Sequence, residues 1–308
     1  MKLTQLTKAN LTTAAVILAA SLPVYAQTTS TGTPNTVQSK ADPYNLAVAG
    51  PVMQSGSTAA SADFNKSVLS QALQFIKQAL PEGQNNTKSL AYEIDPGKLF
   101  LATKQAVTAT FVYEGAGYHN SIGVDAVAPG AKGPSSWWDE VTSPTAKLVF
   151  PDASSSEGGF SVSTYGTRTA SEPVLPGDFV NLGTYEKGSK LDFFLMSNGA
   201  NQSWANVVSI DPALNSDGFS QHVAAFTPHL FAVPQLNSPY VFLSFEDLWG
   251  GGDKDVNDTI IALNIGQANV NALLATPEPA TWATFGSVLG LAVWAKRRAN
   301  QQPALARV

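Results

Sequence analysis

An antiparallel β-sandwich is the fold the sequence predicts, and three observations predict it. From about residue 90 onward, short apolar stretches alternate with Gly, Pro, Asn and Asp, the rhythm of strands joined by tight turns. Long helical periodicity occurs only ahead of that region. Helices therefore do not alternate with strands as in a parallel α/β sheet, and no glycine-rich phosphate loop follows a strand. Finally, 44% of the 308 residues are apolar and 13% charged, against ~25% charged in an average soluble protein. Such a chain builds a core; it is neither a coiled coil nor a charged disordered polymer, and the lack of a fixed repeat excludes propellers and solenoids.

Residues 1–26 carry Lys2 and Lys8, an apolar run over 14–20, Pro23 and the small-residue end Val24-Tyr25-Ala26. This is the pattern of a signal peptide cut after Ala26. Residues 27–60, rich in Thr, Ser, Gly and Ala, hold too few large apolar groups to order themselves and read as a flexible linker. The helical segment, 61–89, has one amphipathic helix over 62–80: Asp63 is a candidate cap, Leu69, Leu73, Ile76 and Leu80 share a face, and Pro81 with Gly83 ends it. Its opposite face is hardly basic, which favours packing on the core over lying on a membrane. The β-sandwich domain spans 90–275, with alternation in 106–113, 191–195, 240–245 and 259–265.

Beyond it, Pro277-Glu278-Pro279 leads into an apolar run over 283–295 and then Lys296-Arg297-Arg298. The run is shorter than the ~20 residues of a full spanning helix, but the basic cluster behind it is a stop signal that stays cytoplasmic. The triplet, the apolar transmembrane helix and the basic end, over 276–300, resemble the PEP-CTERM sorting signal of Gram-negative bacteria, with 301–308 as a tail. That resemblance implies export through the Sec machinery and an intermediate held in the inner membrane. It further implies processing by an exosortase and delivery to the cell surface or an exopolysaccharide matrix, as in a biofilm.

Charge narrows the partners. Residues 27–276 hold 12 basic and 22 acidic side chains, a net −10 within a chain of −5. Such a surface repels phosphate backbones, so no nucleic acid is expected, and it attracts cations. Cysteine is absent, which excludes disulfides and thiol chemistry.

The densest chemistry lies in 245–261, between two apolar strands: Glu246, Asp247, three glycines at 250–252, then Asp253, Lys254, Asp255, Val256, Asn257 and Asp258. Like charges gathered in a hairpin loop repel one another unless a hard cation sits among them, and calcium takes carboxylate, amide and carbonyl oxygens. Asp253-x-Asp255-x-Asn257 has the opening spacing of an EF-hand. The pattern then departs from it: Asp258 stands where Gly is needed, Asn264 where Glu is needed, and strands flank the loop. Composition and spacing leave a second reading open, in which Asp and Asn merely cap turns.

The same stretch resembles the signature of a bacterial extracellular family, domain of unknown function 4114. Pieces at Gly117-Tyr118-His119-Asn120-Ser121-Ile122-Gly123, Leu175-Pro176-Gly177-Asp178 and Phe193-Phe194-Leu195-Met196-Ser197-Asn198-Gly199 agree, over about 115–265. The resemblance implies calcium at Glu246, Asp247, Asp253, Asp255, Asn257 and Asp258, with no assigned activity.

Catalysis has little to stand on. The three histidines, His119, His222 and His229, form no cluster for zinc, and no Gly-x-Ser-x-Gly elbow occurs. A carbohydrate-binding or carbohydrate-hydrolysing protein is the alternative, using the pairs Glu246 with Asp253 or Asp139 with Glu140, and Trp137, Trp138 and Trp249 as stacking rings. The leading expectation is a non-enzymatic, calcium-binding matrix protein.

Overall fold

The computed structural model describes residues 41–85, 94–154, 174–218, 221–231 and 238–275. The expected signal peptide, 1–26, and sorting signal, 276–300, lie outside the described residues. The strands are β1 (Gln105–Tyr113), β2 (Ser121–Val127), β3 (Ala146–Phe150), β4 (Phe179–Tyr185), β5 (Lys190–Ser197), β6 (Asn206–Ser209), β7 (Val223–Phe226), β8 (Tyr240–Phe245) and β9 (Thr259–Asn264). They form two antiparallel sheets, ordered β4-β1-β9-β8-β7 and β3-β2-β5-β6. Phe111, Phe150, Phe193, Leu195, Leu243, Phe245, Ile261 and Leu263 meet in one cluster of buried side chains between them. The predicted mainly β, sandwich-like architecture is what the chain adopts.

In β8, Val241, Leu243 and Phe245 face that core while Tyr240 and Phe242 face the other way; in β9, Ile261 and Leu263 alternate with Ile260 and Ala262. Both faces are apolar because a helix covers the outer one. Three consecutive segments build it: α1 (Ala59–Phe64), a π-helical stretch (Asn65–Leu69) and α2 (Ser70–Ala79) run continuously. Phe64, Val68, Leu69, Ala72, Ile76 and Leu80 pack on Phe226, Phe242, Ile260 and Ala262, each large side chain contributing roughly 1.5–3 kcal/mol. The helix starts earlier than its periodicity suggests. Thr58, not Asp63, is the cap, its hydroxyl accepting from the Ser61 amide at 3.2 Å.

The linker expectation also changes for 41–58. Val52 and Met53 are buried, and isolated bridges join Val48 to Leu148 and Met53 to Phe179. This strap, with α3 (Trp137–Val141), covers the outer face of the four-stranded sheet through Leu46, Val141, Leu148, Phe194 and Met196. Gly123 is required there, since a Cβ would sit 2.3 Å from the Phe194 ring. A short α4 (Gln267–Leu274), not expected from the sequence, closes one end with Val270 and Leu273. Among the described residues no helix is long and apolar enough to cross a membrane.

Candidate metal centre

The 13-residue connection 246–258 joins β8 to β9, which pair directly from Tyr240↔Asn264 to Phe245↔Thr259. Its backbone is unusual. Gly250, Gly251 and Gly252 have φ of 77°, 82° and 42°, and Lys254 and Val256 also lie at positive φ, 66° and 51°. For a β-branched residue this is strained, and Val256 tolerates it because its side chain is buried in the helix-facing cluster and its carbonyl accepts from the Ser244 hydroxyl. The winding turns acidic side chains inward. Glu246, Asp247, Asp255 and Asp258 are all buried, whereas Asp253 and Lys254 are exposed.

Oxygens of Glu246, Asp255 and Asp258 lie within 4.8 Å of one another. A second group with the same spacing joins Asp255 to Asp253 and Glu82. Asp255 is therefore common to both. Backbone amides hold these carboxylates in place: Leu248 and Lys254 donate to Glu246, Gly83 and Asn257 to Asp255, and Asp247 to Asp258, at 2.7–3.3 Å. The two other expected ligands, Asp247 and Asn257, also hold the loop to its surroundings. Asp247 accepts from Asn120 at 2.7 Å, and the Asn257 amide donates to the Leu80 carbonyl at 2.9 Å. The Asn257 Oδ1 atom is buried without a hydrogen-bond partner, and a Cβ on Gly115 would come within 2.7 Å of it.

Electrostatics follow from burial. Removal from water pushes the Asp258 carboxyl up strongly, and Asp247 and Glu246 beside it push further. Burial likewise raises Glu246, Asp247 and Asp255, each partly opposed by its hydrogen-bond donors. Glu82 is raised by partial burial, then by Asp255 and Asp253. All the assembled donors are hard oxygens with room to rearrange at three glycines, which fits calcium better than zinc. Glu82 escaped the sequence reading because Pro81-Glu82-Gly83 serves as a helix stop more than 160 residues from the loop.

The residues of the catalytic alternatives are placed as follows. His119 meets both Asp152 and Ser154 through its Nδ1 atom, at 3.0 and 3.1 Å. Neighbours Asp139 and Glu140 point apart: Asp139 is exposed, and Glu140 is buried against the Ser209 hydroxyl at 3.0 Å. Glu246 is buried and Asp253 exposed, and Asp253 helps to raise the Glu246 carboxyl, which makes the pair part of the acidic loop itself. His222 bonds Asp217 at 2.6 Å, and Asp217 also accepts from the Gly250 amide at 2.7 Å, a brace for the glycine turn.

Residues 185–266 match the family model described as "Domain of unknown function (DUF4114)". That span covers β5 to β9 and the whole 246–258 loop. It is narrower than the expected 115–265, and the pieces at 117–123 and 175–178 fall outside it, as does Glu82. No curated protein and no solved structure matches the chain.

Proposed function

We propose that this chain is an exported, non-enzymatic β-sandwich protein that binds calcium in its 246–258 loop and acts at the cell surface or in an exopolysaccharide matrix. One observation carries the calcium reading: three buried carboxylates, Glu246, Asp255 and Asp258, converge within 4.8 Å. Deprotonated together in a water-poor loop they repel one another, and a divalent cation removes the repulsion. Asp253 and Glu82 extend the donor set through Asp255 on the solvent side. Bound calcium would supply no chemistry to a substrate; it would join the β8–β9 loop to the end of the helix and so stabilise the domain.

Export rests on the two ends of the sequence. In this reading the Sec machinery removes 1–26, leaving Gln27 at the N-terminus. The apolar run at 283–295 with Lys296, Arg297 and Arg298 then holds an intermediate in the inner membrane of a Gram-negative cell until an exosortase acts at Pro277-Glu278-Pro279. Thermal melts of the purified protein in millimolar calcium and in chelator test the central claim. Calcium should raise the melting temperature, and coincident melts overturn it.

A further inference from the structure

On the outer face of the β3-β2-β5-β6 sheet, segments far apart in sequence bring four aromatic rings together. Tyr44 from the strap lies 6.4, 6.2 and 5.2 Å from Trp137, Trp138 and Trp204, edge-on to each. Trp137 and Trp138, both on α3, are perpendicular at 5.6 Å, and Trp138 runs nearly parallel to Trp204 at 6.0 Å and 19°. The outermost rings are open to water: Trp204 is 64% exposed and Trp138 44%. Three of the six tryptophans thus meet at one surface, an apolar concentration that folding alone does not reward.

The arrangement is also held rigid. Tyr44 adopts a left-handed φ of 56°, fixed by its amide to the Ser203 carbonyl at 3.0 Å and by its hydroxyl to the Ala205 carbonyl. Backbone strain is spent on wedging this ring beneath the two indoles. Ser136 caps α3 by accepting from the Asp139 amide, which orients Trp137 and Trp138.

We infer that this cluster is a binding platform for a neutral polysaccharide, seated on Trp138 and Trp204. A pyranose ring presents a face of C–H bonds with hydroxyls around its rim. The C–H hydrogens carry partial positive charge and meet the negative face of an indole. Charge selects among polymers. The ring-bearing segments 42–45, 137–139 and 201–206 contain exposed Asp42 and Asp139 and no basic side chain; exposed Lys132 faces Asp139 and offsets one of the two charges, so the platform keeps a net negative edge that disfavours a uronate or phosphate polymer. Exposed Asn45, Asn201 and Gln202 can exchange hydrogen bonds with hydroxyls, whereas a wholly apolar partner would leave such groups unpaired. The platform lies on the four-stranded sheet and the acidic loop joins two strands of the other, so the inference stands apart from the calcium reading.

Affinity electrophoresis of the purified protein through gels containing a neutral β-glucan, galactomannan or polygalacturonate tests it. Retardation is expected in at least one neutral gel, in calcium and in chelator alike, and none in polygalacturonate. Trp204→Ala and Trp138→Ala should each weaken retention at least tenfold, and Trp204→Phe should keep part of it, with melting unchanged in the Trp204 variants because that ring is 64% exposed. The inference falls if no neutral gel retards the protein, if the alanine variants are retarded like the parent, or if polygalacturonate binds better. It falls equally if sedimentation shows a dimer that Trp204→Ala dissociates while glycan binding is absent, which makes the face a self-association surface. Retention lost in chelator but intact in Trp204→Ala assigns the glycan to the acidic loop, overturning the platform and leaving the calcium reading in place.

Discussion

Asp255→Asn is the sharpest perturbation of the loop, because Asp255 belongs to both groups of carboxylates. At 4.8 Å and an effective dielectric near 20, two ionised carboxylates repel by about 3.5 kcal/mol. Three such pairs approach ~10 kcal/mol, the whole stability of an ordinary domain. The metal-free loop must therefore keep protons, and a cation should bind in their place. At a hundredfold excess over its dissociation constant, calcium stabilises by about 2.7 kcal/mol. For a domain of this size that raises Tm by roughly 5–10 °C. Asp255→Asn removes two repulsive pairs while keeping an acceptor for the Gly83 or Asn257 amide, so a lost hydrogen bond of about 1 kcal/mol is outweighed. Calorimetry should show the variant melting at or above the parent in chelator, yet gaining little from calcium. If the residue is only a turn cap, the variant loses ~0.5–2 kcal/mol equally in both buffers, and that result refutes the reasoning.

The calcium effect should widen with pH. Buried Glu246, Asp247, Asp255 and Asp258 have folded-state values above their unfolded ones, so the contribution of this loop to metal-free stability is fully present below about pH 4 and is lost as pH climbs, through about 7 for Glu246. Calcium binds the deprotonated set, so the gap in Tm between calcium and chelator should grow from about pH 5.5 to about pH 8; Asp192, raised to about 6 by burial, shifts both melts alike. Gly252→Ala should abolish most of the calcium shift, because its Cβ would lie 2.2 Å from a Glu246 oxygen at a φ of 42°; an unchanged calcium titration excludes Glu246 as a ligand. Replacing Pro277, Glu278 and Pro279 by alanine should leave uncut protein in the inner membrane fraction, and normal release would reduce the triplet to a turn before an anchor.

Much of the sandwich was legible because its strands obey local rules. The runs at 106–113, 191–195, 240–245 and 259–265 fall within or overlap β1, β5, β8 and β9, and the acidic stretch does connect a hairpin. What stayed hidden depends on distant partners. Nothing near Val52 and Met53 announces that a sheet edge and core await them, so the composition of this strap is that of a linker. Glu82 joins the loop only because the helix lies across β8 and β9. Trp204 and Tyr44 gave no sign of meeting Trp137 and Trp138, since their convergence is set by the β5–β6 connection and the strap.

The sheet order has a consequence for how the molecule comes into being. β1 sits between β4 and β9, and Phe111 pairs with Ile261, about 150 residues downstream. The central seam of the larger sheet cannot close until nearly the last strand has emerged, and the helix from 59–79 has no complete floor to lie on before then. Contacts of such long reach close slowly. A chain leaving a ribosome or a narrow pore from its N-terminus would thus stay unlatched for most of its passage and snap shut at the end.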